Sequence, residues 1–292
     1  MPEETPSSLI HLGDLGGLSK PCSLLIEKLS SAICGVCLPW QTVRAAKAEA
    51  EADLIRAAKD VQVAALRNRA AHRLLLEETE RQGRLEAVVD KSLPFVNEKA
   101  NPAAIEQGWL VNFADHVKRV PEDDMQGVWA RILAGEANAP GSFSKRTLNI
   151  LSEFGARDAE DFTKMSCFVP IFCGRPTVLV FDLGQSDFMD ANLPYEVIQR
   201  MEAFGLITID TVGFYQRRLP DPVPFSYFGR SAEVQKPATE DDFTLGTGMV
   251  AMTQFGEELM KISGPQPVDG YFEYLLDYWK QEGIIVTEIT DR

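Results

Sequence analysis

From Thr42 to about Leu93 the chain has no proline and a single glycine, Gly83, in a run dense in Ala, Glu, Arg, Leu and Lys. That composition specifies one very long helix, or two nearly collinear ones. About 50 residues rising 1.5 Å each make a rod about 75 Å long, which no single compact domain can bury. The rod must pack against other copies of the chain, another domain or a surface. Leu54, Val61, Asn68, Leu75, Gln82 and Val89 recur every seven residues, with Ala50, Ala57, Ala64 and Ala71 on the adjoining stripe. We read an alanine-rich assembly face through Leu54, Val61, Asn68 and Leu75, loosened by the polar Asn68 and Gln82. A solvated helix within a monomeric bundle is the alternative.

Residues 8–38 read as a Gly/Pro-broken lead-in and a short amphipathic helix with Leu24, Leu25, Lys28 and Leu29 at helical spacing, ended by Pro39. Beyond the rod, Asn101-Pro102 is expected to cap a helix whose apolar stripe is Ile105, Trp109, Phe113 and Val117. Val120-Pro121 breaks it. Glu122, Asp123 and Asp124 then favour a new N-terminus, and Met125, Val128, Trp129, Ile132 and Leu133 form the next stripe, up to Gly135. After the loop EANAPGS, Ser144 is an expected N-cap for a stripe of Leu148, Leu151 and Phe154, closed by Gly155. The spacing predicts a compact helical domain with Trp109 and Trp129 in its core.

The texture changes at Pro176. TVLVFDL, LITID, MVAMT and IIVTEI are β-branched and read as strands. Helices are expected at 193–204 (Leu193, Val197, Ile198, Met201 and Phe204), 253–262 and 269–281 (Tyr271, Leu275, Leu276 and Trp279), while Gly213 to Lys236 reads as a long loop or wing. The predicted fold is mainly α, a long N-terminal helix and a helical domain followed by a small α+β winged-helix-like module. The expected divisions are 1–40, 41–95, 96–172 and 173–292.

The net charge is −14, and residues 171–292 hold 9 Lys+Arg against 19 Asp+Glu, a balance of −10. That part repels a phosphate backbone unless Arg200, Arg217 and Arg218 cluster, so nucleic acid is not an expected ligand and a protein partner is. In the 193–204 helix Gln199 and Arg200 are the only obvious base or phosphate contacts, and Glu196 and Glu202 stand beside them. The apolar runs fall short of the roughly 20 residues of a membrane span. The start MPEETPSS lacks a basic region and an apolar core, and five cysteines suit reduced thiols, so a cytoplasmic location is expected.

No catalytic, cofactor or metal site is predicted. Cys34-Gly-Val-Cys37 has redox spacing without the strand-to-helix junction such a motif needs, and His11, His72 and His116 are scattered. Asp115 and His116 point about 100° apart on a helix and cannot readily work together. The pair Gly246 and Gly248 lacks the third glycine of a dinucleotide fingerprint.

At PEDDMQGVWARILAGEANAPGSFSKRTLNILSEFGARDAEDF (121–162) the chain resembles a bacterial family of unknown function akin to the abortive-infection alpha (Abi-alpha) proteins. GLSKPCSLLIEKLSSAICG and PWQTVRAAKAEAEA, within 17–52, are similar to the same pattern. Glu122, Asp123, Met125, Trp129, Ile132, Leu133 and Ala134 match its acidic-then-aromatic helix, as a cap and a core face. The resemblance implies a role in phage exclusion without supplying a reaction, and the acidic C-terminal module departs from the smaller Abi-alpha pattern. The expected function is a non-enzymatic defence protein that forms homo-oligomers. The alternatives are a peripheral membrane effector lying in the bilayer interface through residues 20–40, helped by Trp40, Arg44 and Lys47, or a winged-helix DNA-binding regulator.

Overall fold

Pro21 in the first turn opens helix α1, Lys20–Ala32, in a computed structural model that describes residues 18–33, 63–178, 193–209, 215–217, 221–235, 244–246 and 248–289. The chain divides into two units, Met1–Asn149 and Ile150–Arg292. It is mainly helical, and among the described residues antiparallel strands are confined to the second unit.

The first unit is built from helical stripes. α1 buries Cys22, Leu25, Ile26, Leu29 and Ala32, a run of three- and four-residue intervals that fixes one face. It packs on a 3-10 turn at Pro102–Ala104 and on α3, Gln107–Val117. Helix α2, Val63–Ser92, is the described part of the long rod; it seals Leu85, Val88 and Val89 against α4, Asp123–Asn138. Each such side chain contributes roughly 1.5–3 kcal/mol by leaving water. Trp109 stacks on Phe113 at 5.3 Å, and Phe113 meets Trp129 edge-on at 5.6 Å. Of the two expected stripes, Ile105, Trp109, Phe113, Val117, Met125, Trp129, Ile132 and Leu133 are buried and Val128 is half-buried.

Three local expectations in this unit give way. Pro102 starts a separate 3-10 turn and α3 begins at Gln107, because the chain must turn at Ile105 before the stripe can face inward. Gly135 does not end α4: it lies inside the helix because Phe143 packs there, and a Cβ at Gly135 would come within 2.8 Å of the Phe143 ring. α1 ends at Ala32, ahead of the expected stop at Pro39, which lies outside the described residues. Ser144 does cap α5, Lys145–Leu151, accepting from the Thr147 N–H at 3.2 Å.

The second unit opens with a helix the sequence reading missed. Gly155 does not close a stripe; it begins α6, Ala156–Ser166, where the Gly155 N–H donates to Asp158 at 2.9 Å. The two units divide after Asn149, within α5. α6 packs on α7, Tyr195–Ala203, and on α8, Gln254–Ser263. α7 leads through Gly205 (φ 74°) into β3, Ile207–Ile209, which pairs antiparallel with β8, Val250–Met252.

A five-stranded antiparallel sheet runs in the order β2-β1-β5-β6-β9, from β1 (Ile171–Phe172), β2 (Arg175–Pro176), β5 (Val223–Tyr227), β6 (Arg230–Gln235) and β9 (Ile285–Ile289). β4 (Tyr215–Arg217) and β7 (Thr244–Gly246) make a further ladder. The expected loop or wing at 213–236 is thus overturned, since its residues form the centre of the sheet. Alternation explains it: Val223, Phe225, Tyr227, Ala232 and Val234 are buried on one face. Helix α9, Tyr271–Gln281, covers that face, with Trp279 edge-on to Phe225 at 5.1 Å and Phe272 stacked on it at 5.4 Å. Of TVLVFDL only Thr177 and Val178 are described.

Candidate functional site

The long helix carries the candidate surface. Its last turns are packed, but from Leu66 to Glu78 every position is exposed except half-buried Asn68, with Leu66 at 63%, Leu74 at 62%, and Leu75 and Leu76 each at 37%. Four leucines stand exposed along about three turns, an apolar surface of the kind that marks a contact site. Of the predicted assembly face, Asn68 and Leu75 lie on this projecting part, while Leu54 and Val61 fall outside the described residues. Ion pairs along the helix support it: Arg73–Glu77 at 3.5 Å, Arg81–Glu77 at 3.7 Å and Arg84–Glu80 at 3.3 Å. Missing from the expected face were Leu66, Leu74 and Leu76; a heptad count that admitted charged positions would have found Leu66 and Leu76.

The family-motif residues Met125, Trp129, Ile132 and Leu133 are interior, so this helix is scaffold. It is held from one end by Glu136, whose carboxylate accepts from the Gly141 N–H at 2.6 Å and the Phe143 N–H at 3.0 Å. Trp109 Nε1 donates to the Phe143 carbonyl at 2.8 Å. His116 stacks on Trp129 with centroids 5.8 Å apart, and its Nε2 lies 2.9 Å from Asn149 Oδ1, while Asp115 is exposed. The partners of His116 are the Trp129 ring and the Asn149 side chain.

In the second unit Arg200 is engaged. Its Nη1 donates to Asp161 Oδ2 at 2.5 Å and lies 3.7 Å from Asp158 Oδ1. Both carboxylates belong to α6, so Arg200, one of the two possible base or phosphate contacts of the 193–204 helix, ties two helices together. Arg230 bonds Glu273 and Glu288 and lies 4.1 Å over the Phe272 ring. The hydrogen bond from Arg230 holds the Glu273 carboxyl below its ordinary range. Tyr271 donates to the Phe168 carbonyl at 3.0 Å, and complete burial pushes its hydroxyl well above the usual tyrosine range. Tyr227 donates to the Cys167 carbonyl at 2.7 Å and accepts from the Val268 N–H at 2.8 Å; burial raises it too. These hydroxyls are bound to backbone, as structural tyrosines are.

Leu25, Ile26 and Leu29 of α1 lie in the interior of their unit, so the face expected to meet a bilayer is already covered there. Among the described residues no helix is long and apolar enough to cross a membrane, and no group of three His, Cys, Asp or Glu could hold a metal ion. Cys34 and Cys37 lie outside the described residues.

A helical unit joined to an α+β unit, with one helix projecting from its packed end, is the class of protein these features define. The family model described as a protein of unknown function (DUF2806) matches residues 68–276, and the chain belongs to that family. The match begins on the projecting part of α2 and runs into α9. No curated protein matches the chain, and no solved structure does.

Proposed function

We propose that this chain is a non-enzymatic, self-assembling protein of phage defence, acting through protein–protein contact. The observation that carries the assembly reading is the projecting half of α2 with Leu66, Leu74, Leu75 and Leu76 in solvent. Leu66 and Leu76 lie about 80° apart around the helix and leave water together when one partner helix covers them. The defence role rests on the likeness of residues 121–162 to Abi-alpha relatives, where Met125, Trp129, Ile132 and Leu133 supply the matching core.

For the second unit the reading is a winged-helix-like arrangement used for protein contact. What supports it is that α6 and α7 lead into β3, whose ladder partner β8 returns after β4 to β7 and feeds into α8. The −10 balance of 9 Lys+Arg against 19 Asp+Glu over residues 171–292, and the engagement of Arg200, favour a protein partner over a phosphate backbone.

Size-exclusion chromatography with light scattering, run with and without anionic vesicles, tests the assembly. The expected result is a mass of two or more copies that ignores lipid. A monomer at every concentration sinks the proposal, and co-elution with vesicles favours the membrane alternative. The defence role is read from plaque counts on cells with and without the chain, and equal counts would remove it.

A further inference from the structure

α2 carries a second periodic stripe. Leu66, Arg69, Arg73, Leu76 and Glu80 follow at intervals of three and four residues, and all are exposed. At about 100° per residue they share an arc of about 80°. The packed positions Leu85, Val88, Val89 and Ser92 centre about 130° away around the helix, so a second helix along the stripe does not meet the packed face of α2.

The charges on this stripe are ordered, basic first and acidic after. Within one helix the two arginines of that order are poorly used, while Glu80 pairs with Arg84 at 3.3 Å. Arg69 has Ala65, Leu66, His72 and Arg73 at its three- and four-residue neighbours, and no ion-pair partner among the described residues. The Arg73–Glu77 pair has the basic residue first, the weaker polarity for such a pair. Gly83 is a second anomaly. In mid-helix it costs about 1 kcal/mol relative to alanine, yet a Cβ there would meet nothing within 4 Å, so the packing of its own unit does not require it.

An antiparallel second copy accounts for both. With a dyad between Leu74 and Leu75, Arg69 faces Glu80 of the second copy, Arg73 faces its Leu76 with its Glu77 alongside, and Leu66 faces its Gly83. The glycine becomes the seat for a leucine. Parallel, in-register pairing would instead set Arg69 against Arg69 and Glu80 against Glu80. The geometry points to a symmetric antiparallel pair of α2 helices, two copies of this chain joined along Leu66, Arg69, Arg73, Leu76 and Glu80. This inference rests on the self-assembly reading and adds direction and register, and it moves the contact to the stripe through Leu66 and Leu76, about 130° around the helix from the expected face of Asn68 and Leu75.

The test uses the full chain as wild type, Arg69→Glu, Glu80→Arg and the double exchange, with dissociation constants from sedimentation equilibrium and helicity from circular dichroism. Each single change sets like charges across the dyad twice and is expected to raise the constant about tenfold or more. The double exchange restores opposite charges and is expected to return it to within about threefold. Gly83→Leu, which fills the seat while favouring the helix, weakens the pair as well. A wild-type oligomer indifferent to these changes would overturn the stripe and leave self-assembly standing. Single losses without recovery in the double exchange would overturn the antiparallel direction. A monomeric wild type would remove both this pairing and the reading beneath it.

Discussion

The Leu206 carbonyl oxygen stands 2.3 Å from where a Cβ on Gly256 would be. That closeness is enforced by Thr253, whose hydroxyl accepts from the Gly256 N–H at 3.3 Å and lies 2.7 Å and 3.0 Å from the carbonyls of Gly205 and Leu206, to which it can donate. The threonine thereby fastens the start of α8 onto the end of the α7–β3 turn. Gly256→Ala should cost about 1–3 kcal/mol, because backbone must move to admit the methyl group. Chemical denaturation followed by circular dichroism would show it, and wild-type stability would mean that the turn yields freely.

Glu136 gives a second test, in the first unit. It is almost wholly buried and accepts two backbone N–H groups of the loop after α4. Glu136→Ala removes the acceptor of both and strands the buried Phe143 N–H, and should destabilise by about 1–3 kcal/mol, since a buried group left without its partner bears its full desolvation cost. Hydrogen exchange at the amides of Gly141 and Phe143 should accelerate in the variant. Unchanged protection would show that the carboxylate is not what orders the loop.

Tyr271 sets an alkaline limit. Its folded-state ionisation lies well above the ordinary value of 10.0, for reasons of burial, and that of Tyr227 is also raised. Below about pH 10 both groups are neutral folded or unfolded, and they add no pH dependence. As pH rises further the unfolded chain loses protons that the folded chain keeps, so stability falls, with a limiting slope of about 1.4 kcal/mol per pH unit for each group. The tyrosinate absorption of these two residues should therefore appear together with unfolding. Its appearance in the folded protein would contradict their burial.

Much of the first unit was legible because its signals are periodic and local. The stripes through Trp109 and Trp129 recur at three and four residues, and tertiary packing used them unchanged. The sheet centre was not legible. Pro222, Pro224 and Gly229 make 221–230 read as loop, yet Pro224 keeps its carbonyl for the Cys173 N–H at 3.0 Å, on the side where β1 has already ended, so its missing N–H removes no ladder bond. Phe228, at φ 44°, occupies a turn position that glycine or asparagine would announce, and so hides the hairpin. The candidate surface was half legible. Sevenfold recurrence pointed to Asn68 and Leu75, whereas the stripe through Leu66 and Leu76 holds three charged residues that a search for apolar positions discards.

Arg200 offers the last test, because it separates a structural arginine from a nucleic-acid contact. Its guanidinium bonds Asp161 and stands near Asp158, with all three side chains less than a third exposed. Arg200→Ala leaves two half-desolvated carboxylates facing each other and should cost about 1.5–3 kcal/mol, the range for a hydrogen bond to a charged group. Asp161→Ala alone should cost less, since Asp158 remains to receive the guanidinium. A double-mutant cycle should then return a coupling of about 0.5–3 kcal/mol, as residues in one network do. The same variants titrated with duplex DNA at low salt discriminate the alternatives. A phosphate contact would show wild-type binding that Arg200→Ala abolishes while stability stays unchanged. The expected result is the reverse: loss of stability in the second unit, and no DNA binding for the substitution to remove.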